Sequence, residues 1–149
     1  MISKFYEINK YKKKIDIFLL YGDNEGQKIE IIKSNFREYT KENTYKYYEK
    51  DILANKQSFF EKILSKSFFE KEKLILISDV TDKLFKLIEE TIEVDLTDVK
   101  IILIAKKLEK RSKLRVFFEK EENLLIVPFY EDTPQNLISI ANDLLNKNK

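Results

Sequence analysis

The chain has 149 residues, the size of one domain, and at that length folding buries roughly two thirds of the surface that the unfolded chain exposes. It contains neither cysteine nor histidine, which excludes disulfides, thiolate metal sites and imidazole bases and disfavours most hydrolase chemistry. With 28 basic against 26 acidic side chains the net charge is only +2, a mixed surface rather than the clustered basic excess of a protein devoted to gripping phosphate backbones.

The N-terminal Met1-Ile2-Ser3-Lys4-Phe5 does not lead into an apolar signal core, and no apolar run approaches the roughly 20 residues that span a bilayer. A cytoplasmic location without membrane contact is therefore expected. Lys10-Tyr11-Lys12-Lys13-Lys14 reads as a solvated lead-in to the first strand, Ile15 to Tyr21. A helix follows the turn at Asp23-Asn24, either of which suits its N-cap, with Ile29, Ile32 and Phe36 on one face.

Thr44 to Tyr48 reads as an edge-like second strand, and Phe59, Phe60, Ile63 and Leu64 mark a short helix after it. The third strand is Leu74 to Ile77, followed by a helix carrying Leu84, Leu87, Ile88 and Ile92. Val99 to Ile104 forms the fourth strand, Leu114, Phe117 and Phe118 mark a helix, and Leu124 to Val127 forms the fifth strand. A last helix starts with Thr133 as N-cap and Pro134 in the first helical position, and Leu137, Ile140, Ala141, Leu144 and Leu145 form its stripe. Strand-length apolar runs alternating with helical periods predict a parallel sheet covered on both faces, in a single domain over residues 1–149.

In open α/β sheets the loop after the first strand is the usual phosphate cradle. Here it reads Gly22-Asp23-Asn24-Glu25-Gly26-Gln27-Lys28-Ile29. A working P-loop reads G-x-x-x-x-G-K-[ST]: amides wrap the phosphates, Lys neutralises charge and the hydroxyl holds magnesium. In this chain the glycines are one residue too close, Lys28 comes one position late, and Ile29 stands where the hydroxyl belongs. Asp23 and Glu25 add negative charge, so a plain turn with an acidic helix start is expected and no nucleotide or metal cofactor. The third strand ends in Ser78-Asp79-Val80 rather than Asp-Glu, and Asp79 is expected to cap the next helix.

Two constellations suit binding. Ser67-Phe68-Phe69 places adjacent rings in a polar segment, where one ring packs inward while the other is partly exposed, or both cover the core. Lys106-Lys107-Leu108-Glu109-Lys110-Arg111-Ser112-Lys113-Leu114-Arg115 sets cations at a helix start, against the helix dipole, unless an acid or a phosphate compensates. A solvated face or contact with nucleic acid through Lys106, Lys107, Lys110, Arg111, Lys113 and Arg115 both fit that pattern.

Three of these segments, in this order and spacing, resemble the N-terminal domain of the delta subunit of the bacterial DNA polymerase III clamp loader. They are Phe18 to Glu25, Ser67-Phe68-Phe69 before Leu74 to Ile77, and Lys107 to Leu114. The resemblance implies an α/β fold with a five-stranded parallel sheet and helices on both faces, of the P-loop or AAA+ type, without a functional ATP site. It implies a non-catalytic component of the polymerase holoenzyme that binds the beta sliding clamp and helps open the ring for loading on primed DNA.

Carried over, the clamp-binding element is Ser67, Phe68 and Phe69, with Leu64 as neighbour on the preceding helix. Lys107, Lys110, Arg111 and Lys113 become candidates for contact with DNA or a neighbouring loader subunit. The complete subunit continues into a helical lid and a collar domain, so this chain is expected to be its first domain alone. The alternatives left by the residues are a degenerate nucleotide switch or ATPase using Lys28, and a nucleic-acid-binding α/β domain.

Overall fold

Ile17–Tyr21 (β1) is buried at every position, the pattern of a strand with neighbours on both sides and helices on both faces. In the computed structural model, which describes residues 1–65, 72–130 and 144–145, β1 pairs in parallel with Val99–Ile104 (β4) and with Leu124–Pro128 (β5). Lys73–Ser78 (β3) lies beyond β4, and Thr44–Tyr48 (β2) closes that edge, giving the parallel order β2-β3-β4-β1-β5.

The two-residue period of the strands divides the core into two layers. Phe18, Leu20, Ile102, Leu125 and Val127 face a layer that contains Ile8 of Ile8–Tyr11 (α1), Ile15, and Phe36 at the end of Glu25–Asn35 (α2). Ile17, Leu19, Ile75, Ile77, Ile101 and Leu103 face the other layer. That layer contains Ile52 of Glu49–Ala54 (α3), Phe59 and Ile63 of Lys56–Leu64 (α4), Leu87 and Ile88 of Phe85–Thr91 (α5), and Leu114 and Phe118 of Lys113–Lys120 (α6). The helices after the neighbouring strands β1 and β4 thus lie on opposite faces, which opens a crevice at the carboxyl ends of these two strands, where α/β sheets bind ligands.

The two edges differ. β2 is only partly buried, as its mixed sequence predicts, whereas β5 is covered by the N-terminus. The Ser3 amide donates to Ile126 O at 3.0 Å and the Ile126 amide to Met1 O at 3.0 Å, so the outer edge of β5 is not left unpaired.

All five strands form where the sequence predicts, with small changes of boundary. β1 begins at Ile17, because Ile15 is still bonded back through its amide to Tyr11 O. Asn24, not Asp23, caps α2, accepting from the Gln27 amide at 3.1 Å. The buried stripe of α2 runs through Lys28 rather than Ile29, which is 51% exposed, because carbonyls at the strand ends draw the Lys28 ammonium inward.

Asp79 is exposed with φ 56 and caps nothing; the cap of the 3-10 turn Asp82–Leu84 is Thr81, whose hydroxyl accepts from the Lys83 amide. Ile92 falls beyond the end of α5 and is 37% exposed. The 3-10 turn Phe5–Glu7, α1 and α3 have no counterpart among the expected elements. Thr133, Pro134, Leu137, Ile140 and Ala141 of the expected last helix lie outside the described residues, while Leu144 and Leu145 are helical and exposed.

Candidate functional site

The crevice at the ends of β1 and β4 is built on Gly22, which has φ 122, a conformation open to glycine and strained for other residues. A Cβ here would sit 1.9 Å from Phe129 O, so no side chain fits. The close approach follows from the pairing, because the Phe129 amide donates to Tyr21 O at 2.7 Å and the Gly22 amide to Lys106 O at 2.5 Å. Gly26 has no such constraint. It lies inside α2, and its added Cβ would meet only Asn24 Oδ1 at 4.0 Å. Only Asp23 and Asn24 separate Gly22 from Glu25, the first residue of α2.

Lys28 fills the crevice. It is fully buried, and its Nζ donates to Gly22 O at 2.8 Å, to Ala105 O at 2.8 Å and to the Glu25 carboxylate at 2.6 Å. These three partners use all three ammonium donors. A buried cation is tolerated only when it is paired and hydrogen-bonded in this way. Its position one residue past the P-loop lysine makes it reach back toward the strand ends.

Tyr21, the last residue of β1, faces the other layer, toward α6. Burial pushes the Tyr21 hydroxyl up to about 12, and the Arg115 guanidinium lies 5.1 Å from the centre of its ring. Arg115 also donates to Glu119 Oε1 at 2.8 Å and to Leu108 O at 2.9 Å, so it is engaged within the fold.

A hollow of about 700 Å³ opens between the turns after β3 and β4, lined in part by Asp79, Asp82, Lys106, Lys107 and Arg111. The acid that the cationic helix start requires is Asp82. Its carboxylate accepts from Ser112 Oγ at 2.5 Å and from the Lys113 and Leu114 amides at 3.1 and 3.2 Å. Burial pushes this carboxyl up, but the Ser112 hydroxyl and the two amides outweigh it and hold the group below its ordinary value.

With Leu108 and Ser112 buried, Lys106, Lys107, Lys110, Arg111 and Lys113 are left on the outside, all exposed. None of these five has an ion-pair partner among the described residues. Lys107, Lys110, Arg111 and Lys113 are thus exposed between the end of β4 and the first residue of α6, whereas Arg115 is half-buried and bonded to Glu119 and Leu108.

Of the aromatic constellation, Leu64 ends α4 and is 47% exposed; Ser67, Phe68 and Phe69 lie outside the described residues. Nearby, the Lys62 ammonium stands 4.1 Å over the Tyr45 ring. Glu49, a buried acid that sequence reading passes over, accepts from the Thr81 amide at 2.9 Å and from the Thr81 hydroxyl, tying the start of α3 to the turn after β3. Among the described residues no cluster of acidic side chains could hold a metal, and no helix is long and apolar enough to cross a membrane.

The family model described as DNA polymerase III, delta subunit, matches residues 18–127. Among solved structures, the Bacillus subtilis DNA clamp loader delta protein (YqeN) is similar, with a TM-score of 0.69 and 16% sequence identity. The match covers 97% of this chain and 47% of that one, so this chain spans about half the length of that protein, and at this identity the likeness speaks for the fold. Comparison with curated proteins gives no match.

Proposed function

Because the chain belongs to the DNA polymerase III delta subunit family, we propose that it is the clamp-binding domain of a clamp-loader subunit acting in DNA replication. Residues 1–149 would be the AAA+-like first domain of that subunit. Leu64, Ser67, Phe68 and Phe69 would bind the beta sliding clamp, and other loader subunits would supply the ATP chemistry. The observation that carries this reading is the family match across residues 18–127, the span that includes the whole sheet apart from the ends of β1 and β5.

The crevice supports a non-catalytic role. Where a nucleotide's phosphates would meet the end of β1, the Lys28 ammonium is already engaged by Gly22 O, Ala105 O and Glu25. Only two residues precede α2, too few to wrap a phosphate in the manner of a P-loop. The chain would thus work by differential binding: a domain that fits the clamp better with one ring interface distorted shifts the ring toward opening, by no more than that difference in affinity.

The test is to compare affinity for the intact clamp with affinity for a clamp whose ring interface is weakened by mutation. Tighter binding to the weakened ring is expected, and equal affinities would contradict the opening step. A second contact is favoured by the exposed Lys107, Lys110, Arg111 and Lys113, whose helix start Asp82 already neutralises. These cations are free to meet DNA phosphates or an acidic face of a neighbouring subunit.

A further inference from the structure

β4 separates two stretches of opposite charge. Residues 87–98, which lead into it, hold Glu89, Glu90, Glu93, Asp95 and Asp98 and no cation, and all five acids are exposed. Residues 106–113, which follow it, hold the exposed Lys106, Lys107, Lys110, Arg111 and Lys113 against Glu109 alone. β4 runs from Val99 to Ile104, so the stretches stand about 20 Å apart at opposite edges of the sheet. That is more than twice the screening length of about 8 Å at physiological salt, so neither stretch cancels the field of the other.

The helices that carry these charges do not explain them. Glu89 and Glu90 lie in the last turn of α5, where the dipole disfavours acids and where no basic residue balances them. Lys113 opens α6, where the dipole disfavours cations, and Asp82 offsets this at the amides of Lys113 and Leu114. Glu93 and Asp95 also line a hollow with Asp16 and Glu121, near the starts of β1 and β5 and beside Lys14, so the acidic character extends along that edge.

The basic loop is held in place. Lys106 O accepts from the Gly22 amide at 2.5 Å, Leu108 O from Arg115 at 2.9 Å and Glu109 O from the Ser112 amide at 3.0 Å, while Ser112 Oγ donates to Asp82. A fixed backbone lowers the ordering cost when the cations meet a partner. Four lysines and one arginine without an aromatic residue suit phosphates, because the cores of protein interfaces favour aromatic residues and arginine and are depleted in lysine. The loop has no ring on which unpaired bases would stack, which favours the backbone of a duplex, contacted without regard to sequence.

We infer that the charge polarity along β4 orients the domain on a DNA duplex: the phosphates meet residues 106–113, and the acids of residues 87–98 keep them off the opposite edge of the sheet. Selectivity of this kind uses a repulsive element beside the attractive one. The inference rests on the replication reading above through its second contact, not through the clamp contact.

The chain lacks cysteine, so single cysteines that carry a benzophenone photocrosslinker can be introduced as Glu109→Cys in the loop and Thr97→Cys at the amino edge. Crosslinking to a short duplex of mixed sequence is measured for each, with and without Glu89→Gln, Glu90→Gln and Glu93→Gln. With the acids present, the loop position is expected to crosslink about tenfold more than the edge position. With the acids neutralised, the yield from Thr97→Cys is expected to rise several-fold while that from Glu109→Cys holds. An unchanged Thr97→Cys yield would overturn the orienting role of the acids. Equal yields from the two positions with the acids present, or none from either, would overturn the polarity itself. Polyglutamate that competes as well as unlabelled duplex would overturn the choice of DNA in favour of an acidic protein. Calorimetry of the same chains with the beta clamp reads the clamp contact separately: equal affinities are expected, and no clamp binding by any chain would overturn the clamp reading while the crosslinking result stands.

Discussion

Lys28 and Ala105, 77 positions apart, meet at 2.8 Å where the ends of β1 and β4 converge, and the ammonium that joins them is fully buried. This contact closes the crevice in which an α/β sheet of this order would hold a ligand, and it makes Lys28 part of the fold. Lys28→Met keeps most of the stem but orphans Gly22 O and Ala105 O. The loss of stability is expected to be about 2 to 4 kcal/mol, a fall of roughly 4 to 16 °C in melting temperature. A nucleotide-binding role for Lys28 predicts instead that magnesium and ATP raise the wild-type melting temperature and that this rise disappears in Lys28→Met.

The two glycines separate in the same assay. Gly22→Ala must adopt φ 122 and meet Phe129 O, so it is expected to lose about 1 to 3 kcal/mol from the backbone conformation alone and more from the clash. Gly26→Ala adds a methyl group in open space within α2 and is expected to stabilise by about 0.5 to 1 kcal/mol. If the glycines formed a phosphate cradle, both substitutions would act on ligand binding rather than oppositely on stability.

Asp82 links the turn after β3 to the start of α6, and Asp82→Asn is expected to cost about 1 kcal/mol as a weakened cap. The pH dependence has a definite sign. The carboxyl lies lower in the folded chain than in the unfolded one, so its contribution is present above the unfolded value of about 3.9 and is lost as pH falls through the lowered folded value. Melting followed from neutral pH down through that window should show a smaller acid-induced fall in Asp82→Asn than in the wild type.

Neutralising Lys107, Lys110, Arg111 and Lys113 to Gln leaves the fold intact, since all four are exposed outside the Asp82 cap. If they touch DNA, affinity measured by fluorescence anisotropy falls steeply with salt. The variant then binds more weakly and with a shallower salt slope, by roughly 0.9 for each phosphate that it no longer neutralises. Unchanged DNA affinity would turn the cluster toward a neighbouring subunit.

The sheet is largely legible in the sequence because β1, β3, β4 and β5 are short, mostly apolar runs rich in Ile and Leu, the pattern of strands covered on both faces, and the mixed Thr44 to Tyr48 marks the edge. The short elements are not legible. α3 opens on Glu49-Lys50-Asp51, a polar triplet whose buried Glu49 is explained only by Thr81, 32 positions away. Sequence patterns treat lysine as a surface residue, so Lys28 reads only as a lysine one position too late for a P-loop, at the start of a helix after a plain turn. Its inward turn depends on Ala105, which no local pattern reveals. The need for an acid near the basic helix start is visible in the sequence; that Asp82 supplies it depends on a contact across 30 positions to Ser112.

The Ser67-Phe68-Phe69 segment, which follows α4 in the sequence, and not the closed crevice, is the proposed seat of function. Calorimetric titration of the chain into purified beta clamp, for wild type and for Phe68→Ala with Phe69→Ala, tests this most directly. Each ring buried in a partner's pocket contributes about 1.5 to 3 kcal/mol, so the double variant is expected to bind at least about a hundredfold more weakly with an unchanged melting temperature. Equal affinity of the two chains, or no binding by the wild type, would contradict that assignment.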